Sequence, residues 1–379
     1  MNSTPTTINS SRILFAAALL SLGVFQTKAT NVPLTGATAT FDQGGPYNIG
    51  STLDGSIIDT GSGWGVFNGQ FTDQTAFWTA GSPVTSASGL IVTMPQFFGD
   101  AEHHIQKFRL SLTTDAIPSL GGSWTQVSPG FTFASGGVTL ANVGSNTMLA
   151  TGVGRTTFRL GVVGPVTNAT GFRLEVFPED YNMSDALPAS LGRASNGNFV
   201  LSQFMVDTPA GYNWALAASP AASAATYPGQ PEDFLVDGSL NNQAHPADPP
   251  AQTGFFFAVD LGGSVDLSSI ELYNRTDGCC PERLSNFRVD VLDALGNSVW
   301  NASLHTDGSS SGVGGIDTIT EGMGAGTFEG RFVRVTNLSG DAYTPQIAEI
   351  RAFGAAIPEP TTALLATLGG LCFLRRRQR

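Results

Sequence analysis

The chain predicts an all-β protein built as two β-sandwich modules in tandem. Three observations carry this expectation. Glycine (46) and proline (21) are abundant among 379 residues and only 13% of residues are charged, a turn-rich composition unlike that of helical bundles. No stretch sustains a helical period. Short runs of alternating apolar and polar residues recur between clusters of Gly, Asn, Asp and Ser, the pattern of sandwiches and jelly rolls. Hydrophobic residues make up 41% of the chain, enough for real cores, and the length suits about two domains of roughly 100–200 residues plus extras.

The N-terminus reads as a secretory signal peptide over residues 1–29. Arg12 precedes the apolar run Ile13 to Phe25, too short to span a bilayer, and Thr27-Lys28-Ala29 offers a small-residue cleavage site. The C-terminal segment, residues 355–379, has three parts. Pro358-Glu359-Pro360 comes first, then an apolar stretch from Ala363 to Leu374, a short candidate transmembrane helix, then Arg375-Arg376-Arg377-Gln378-Arg379. The Arg cluster fits a stop that stays cytoplasmic. This order resembles the PEP-CTERM sorting signal of Gram-negative bacteria. The resemblance implies recognition by an exosortase in the inner membrane, then delivery to the envelope, the surface or the extracellular matrix. Membrane contact is expected only through this tail; the alternative is a simple C-terminal anchor.

The formal charge is −12, and the part between the terminal segments, with 12 basic and 29 acidic residues, carries −17. No basic stripe is present to follow a phosphate backbone, which argues against nucleic-acid binding. An acidic surface favours solubility and attracts divalent cations.

The first module is expected over 30–207. Its strand candidates are Ser88 to Met94, Lys107 to Thr113, Gly171 to Val176 and Phe199 to Val206. Leu53-Asp54-Gly55, Gly63-Trp64, the run from His104 to Ser111 and Asn196 to Leu201 resemble, in order, a galactose-binding-like region of planctomycete and related proteins. Residues 115–165 fit that order poorly and read as an insertion. Thr208-Pro209-Ala210-Gly211 and the Ala/Ser/Pro stretch that follows read as a linker over 208–224. Core packing is the commoner use of Trp64, Phe77 and Trp78, with a sugar platform as the alternative. Glu102, His103 and His104 lack HExxH spacing, and adjacent histidines on a strand face opposite ways, so a metal site is not expected there.

The second module is expected over 225–354. Strand candidates are Phe255 to Leu261, Ser269 to Asn274, Asn286 to Leu292, Ser298 to Leu304, Arg331 to Asn337 and Ile347 to Phe353. Ile270, Leu272 and Asn274 share one face, as do Phe287, Val289 and Val291. Between the second and third candidates lies a loop, Asn274-Arg275-Thr276-Asp277-Gly278-Cys279-Cys280-Pro281-Glu282-Arg283-Leu284. Adjacent cysteines in an exported protein can close a vicinal disulfide ring, which stiffens the loop and presents a flat apolar sulfur face. Arg275 and Arg283 flank it with planar multi-donor groups, and Asp277 is placed to hold one of them. An apolar plate beside two arginines suits a sugar: stacking for its C–H face, hydrogen bonds for its hydroxyls.

This loop resembles the fucolectin-like branch of the discoidin superfamily, a jelly-roll sandwich of the galactose-binding-like fold. The resemblance spans roughly residues 213–354. It rests also on Leu235-Val236-Asp237-Gly238, Phe257 to Gly262, Arg331 to Val335 and Ile347 to Ile350. It implies a sugar site made of His245, Arg275, Arg283 and the Cys279–Cys280 plate. The family's His stands closer to its first Arg, and Gly278 is an extra residue in the cysteine loop. It also implies a structural Ca²⁺ held at Asp237, Asn242 and Glu349, hard oxygen donors of the kind calcium takes.

Other readings stay open for the same residues. The arginines serve equally as ion-pair residues, the cysteine pair as a brace and Asp237 as a turn residue. No GxSxG and no assignable glycosidase carboxylate pair occurs. The leading expectation is therefore a non-enzymatic, exported, carbohydrate-binding or adhesion protein with a glycan as partner. The alternatives are a structural matrix protein without sugar affinity, and the accessory region of a carbohydrate-active enzyme.

Overall fold

The structure is a computed structural model, which describes residues 31–99, 102–180, 188–247, 253–339 and 345–357. The signal-peptide and sorting-signal residues, including Pro358, Glu359, Pro360, Arg375, Arg376 and Arg377, lie outside the described residues. Among the described residues there are strands and short 3₁₀ turns, with no α-helix. No described helix is long and apolar enough to cross a membrane.

Thirteen strands precede residue 208: β1 (Leu34–Ala39), β2 (Trp64–Gly65), β3 (Gln74–Ser86), β4 (Leu90–Gln96), β5 (Lys107–Thr113), β6 (Thr125–Gln126), β7 (Pro129–Ala134), β8 (Val138–Asn142), β9 (Thr147–Gly152), β10 (Thr156–Val162), β11 (Val166–Phe177), β12 (Val200–Leu201) and β13 (Met205–Asp207). A seven-stranded sheet runs β1-β3-β11-β5-β9-β8, with β6 also on β5, and a four-stranded sheet runs β13-β4-β10-β7. Their inner faces share one core that includes Trp78, Leu90, Phe108, Phe158, Leu160 and Phe172. Trp64 and Trp78 are fully buried, and Trp78 stacks on Phe204 with ring centroids 3.7 Å apart. They pack the core rather than form a sugar platform. His104 is buried against backbone carbonyls, and burial lowers its pKa.

Residues 115–165, expected as an insertion, supply five strands and the middle of the smaller sheet. β10 lies between β4 and β7 and buries Phe158 and Leu160. The segment reads poorly because Gly and Thr interrupt its apolar alternation.

Eight strands follow: β14 (Ser219–Ala222), β15 (Phe256–Tyr273), β16 (Phe287–Leu292), β17 (Ser298–Leu304), β18 (Ile316–Ile319), β19 (Ala325–Gly326), β20 (Glu329–Asn337) and β21 (Glu349–Ala356). They run β14-β15-β20-β16-β17-β19, with β18 and β21 also on β15. β15 is the hinge of this module. Its first half pairs with β14 and β20, its second with β21 and β18, and the register shifts between Asp260 and Val265. Gly262 there has φ +87°, a left-handed value that suits glycine. The bend carries one strand across the sandwich, so Phe257, Val259, Ile270 and Leu272 all reach the same core.

Within residues 208–224, expected as a linker, the stretch 212–218 is a packed seam, Ser219–Ala222 form β14, and Ala210, Ala221, Ser223 and Ala224 are exposed. Tyr212, Trp214, Ala215, Ala217 and Ala218 are buried, because small residues let the two halves approach closely. The centre of the seam is Arg159 of β10, fully buried. Its Nε donates to Tyr212 Oη (3.1 Å), Nη1 to the Leu261 carbonyl (3.2 Å) and Nη2 to the Leu216 carbonyl (2.7 Å). One arginine thus ties the first core to the seam and to the β15 bend.

Candidate functional site

The cysteine loop joins the end of β15 to the start of β16, and its backbone is tied at both ends. Asn274, buried at the end of β15, accepts from the Arg275 amide (2.8 Å) and donates through Nδ2 to the Pro281 carbonyl (2.9 Å). Cys279 and Cys280 are joined by a disulfide. Cys280 takes the left-handed conformation (φ 52°), and Gly278, the extra residue, has φ +81°, which the missing side chain permits.

Arg275 is only 5% exposed, and three hydrogen bonds fix its plane. Nε donates to Asp277 Oδ1 (2.8 Å), Nη2 donates to Asp277 Oδ2, and Nη1 donates to Gln346 Oε1. This is the fork that a guanidinium makes with a carboxylate. The Arg275 hydrogen bonds hold the Asp277 carboxyl down to about 2, so it is charged at any ordinary pH. Three of the five guanidinium N–H groups are used, which leaves two directed elsewhere.

Gln346 was not singled out in the sequence. It is fully buried, its side chain accepts from Arg275, and its backbone amide donates to the Arg283 carbonyl (3.0 Å). It therefore links both arginines of the loop. Arg283 sits half-buried on the 3₁₀ turn Pro281–Arg283, with its amide donating to the Cys280 carbonyl (3.1 Å). His245 comes from a different segment. The isolated antiparallel bridge Ala244–Ile347 brings the backbone segments of His245 and Gln346 side by side. His245 is buried: Nδ1 lies 2.5 Å from the Pro246 carbonyl, and the ring packs against Tyr227 at 5.2 Å. The fold thus brings the His245, Gln346 and Arg275 segments together, with Arg283 and the disulfide on the same loop.

A second cluster adjoins this loop. Asp237 and Gly238 follow the 3₁₀ turn Glu232–Leu235, and Gly238 has φ +80°. Asp237 Oδ1 accepts from the Ser239 amide (2.8 Å) and Oδ2 from Asn242 Nδ2 (2.6 Å). Glu349, the first residue of β21 and fully buried, accepts from the Gly238 amide through Oε2 (3.2 Å). Among the described residues, Glu349 Oε1 and Asn242 Oδ1 are buried with no hydrogen-bond partner. Burial, and next the negative charge of Asp237, push the Glu349 carboxyl up to about 9. Burial also raises Asp237. Two acids and two orphaned oxygens form a cradle that a hard cation would complete; the positive charge of Arg351 acts on Glu349 but is outweighed by burial and by Asp237. Among the described residues no three His, Cys, Asp or Glu side chains converge in metal-binding geometry, so amide and carbonyl oxygens would have to supply the remaining ligands.

The two clusters share their supports. Thr276 of the cysteine loop donates through Oγ1 to the Leu240 carbonyl, between Asp237 and Asn242. Gln346 and Glu349 stand three residues apart at the head of β21.

Residues 234–335 match the family model of a NedA-like, galactose-binding domain of the F5/F8 type C group. No curated protein matches the chain. Among solved structures, a fucose-binding module of Streptococcus pneumoniae is 23% identical over 38% of this chain and 95% of its own, with a TM-score of 0.32. A fucolectin from striped bass (Morone saxatilis) serum is 14% identical over 86% of this chain and 99% of its own, also at 0.32. A Clostridium perfringens module, CpGH89CBM32-5, in complex with GalNAc-β-1,3-galactose, is 18% identical over 38% of this chain and all of its own, at 0.31. The segment that holds both clusters is thus largely the one that matches a galactose-binding domain model.

Proposed function

We propose that the chain is a carbohydrate-binding protein whose sugar site is the cysteine loop. The observation that carries this reading is the fixed Arg275 plane. Asp277 and Gln346 hold it beside a disulfide-stiffened loop, inside the segment that matches a galactose-binding domain model. The spare Arg275 donors and Arg283 take sugar hydroxyls, the Cys279–Cys280 sulfurs meet the apolar sugar face, and the His245 edge closes the site beside Gln346. Aligned donors around an apolar plate bind and orient a ligand, and this constellation offers no nucleophile or paired acid and base for chemistry.

The cation reading belongs with it. Asp237, Asn242 and Glu349 would hold Ca²⁺, which supplies the positive charge that the orphaned oxygens of this cradle call for. Its part is structural. It braces the turn whose Leu240 carbonyl receives Thr276.

For placement in the cell, the reading is an exported surface or matrix protein. The signal-like N-terminus and the tail support it: Pro358-Glu359-Pro360 followed by an apolar stretch and Arg375-Arg376-Arg377, handled by an exosortase.

A glycan array on the purified full chain, with and without EGTA, tests the reading. Retained array signal in wild type and its loss in Arg283→Ala, with an unchanged far-UV spectrum, is the expected result. A folded wild-type chain that binds no glycan on the array would overturn it and favour a structural matrix role.

A further inference from the structure

The first module contains a turn like that of the Asp237 cradle, more exposed and wired differently. Leu53-Asp54-Gly55-Ser56 repeats Val236-Asp237-Gly238-Ser239. Each copy follows a 3₁₀ turn, Ile49–Leu53 in one and Glu232–Leu235 in the other. Gly55 has φ +83° and Gly238 has φ +80°. The Ser56 amide donates to Asp54 Oδ1 at 2.8 Å, and the Ser239 amide donates to Asp237 Oδ1 at 2.8 Å. Five residues after each aspartate comes another side-chain oxygen, Asp59 or Asn242. A buried polar residue at or just before a late strand then reaches back to the turn: Gln203 ahead of β13, Glu349 at the head of β21.

The difference lies in the donors. Gln203 Nε2 donates to Asp54 Oδ1 (2.6 Å) and to the Ser51 carbonyl (3.2 Å). Asp59 Oδ1 accepts from the Gly61 amide (2.6 Å) and the Ser62 amide (3.0 Å), and its Oδ2 accepts from Ser62 Oγ. The first cradle is therefore satisfied from within by N–H and O–H groups. In the second cradle a carboxylate stands where Gln203 stands, and Glu349 Oε1 and Asn242 Oδ1 have no partner among the described residues. An amide side chain carries its own donor, whereas a carboxylate next to an aspartate needs a proton or a cation.

We propose that the Gln203 side-chain amide replaces the cation in the first module, so that the chain binds one Ca²⁺, at the Asp237 cradle, and none at Asp54. This rests on the cation reading of the Asp237 cradle and adds which residue decides metal dependence in each module.

The test counts Ca²⁺ per chain by equilibrium dialysis of the full chain, beside thermal melts in CaCl₂ and in EGTA. Wild type is expected to bind one ion, Gln203→Glu two, Glu349→Gln none. The Glu349→Gln melt is expected to be the same in CaCl₂ and EGTA and to lie above wild type in EGTA, because the new amide donates to Asp237 as Gln203 donates to Asp54. If Gln203→Glu fails to fold without calcium and is rescued by it, that also supports the proposal. Two ions on wild type, or one on a folded Gln203→Glu, would overturn this inference alone. No ion on wild type would overturn the cation reading and this inference with it. A Glu349→Gln chain that melts below wild type in EGTA would overturn the amide-for-cation exchange.

Discussion

Arg275 can direct its two remaining donors only because Asp277 and Gln346 hold the other three. A lysine keeps the charge but loses the fork and the plane. Arg275→Lys is expected to weaken sugar binding at least tenfold, measured by calorimetric titration, and, because it unpairs the buried Gln346 oxygen, to lower stability by about 1–3 kcal/mol as well. Gln346→Leu removes the acceptor and leaves a buried guanidinium N–H unpaired. It is expected to cost about 1–3 kcal/mol of stability by urea unfolding and to weaken sugar binding as well. A different acid reports on the seam. Burial holds the Asp207 carboxyl up at about 6, against an unfolded value of about 3.9. Its contribution is fully present below about pH 4 and is lost as pH rises through about 6, because folding then buries a charge. Asp207→Asn should remove that loss. Between pH 4 and 7.5 the stability difference between variant and wild type is expected to shift by about 2 kcal/mol in favour of the variant.

At the scale of elements, the loop and the seam behave unlike what their composition implies. β5 and β17 begin and end where their alternation begins and ends. β15 reads as two strands because Gly262-Gly263 signals a turn; the structure uses the glycines for a bend within one strand. β14, β18 and β19 are too short, or too rich in Ala, Ser and Gly, to show a period. The seam reads as a linker for the same reason, yet its small residues pack closely around Tyr212 and Trp214. Arg159, the residue that fastens it, is legible only in three dimensions, since its acceptors lie at residues 212, 216 and 261. Arg159→Met leaves two carbonyls and a hydroxyl without their donor. It is expected to cost about 3 kcal/mol or more and to split one calorimetric unfolding transition into two, if the seam is what couples the halves. A single transition with an unchanged midpoint would show that the clamp contributes nothing.

Across the whole molecule, the Asp237 cradle and the cysteine loop share struts. Leu240 lies in the one and accepts from the other, and Gln346 and Glu349 occupy one strand head. Calcium removal is therefore expected to lower both melting temperature and sugar affinity, and Thr276→Val is expected to lessen the second effect more than the first. The Arg275–Asp277 pair and the vicinal disulfide were legible in sequence because the loop is contiguous: Arg275, Asp277, the cysteine pair and Arg283 fall within nine residues. Gln346 was not, because a glutamine 71 positions away has no local signal. The two Asp-Gly turns stand in the sequence, but the way each is wired does not show there, since Gln203 and Glu349 act from 149 and 111 residues away.

The central claim is that Arg275 and Arg283, held around the disulfide loop, bind sugar. Calorimetric titration of the calcium-loaded full chain with galactose and with fucose tests it most directly, beside the Arg275→Lys, Arg283→Ala double variant. Saturable binding of at least one sugar by wild type, abolished in a double variant that keeps the wild-type far-UV spectrum and a cooperative melt, is the expected result. Equal binding by both proteins would place any sugar site elsewhere and contradict the account.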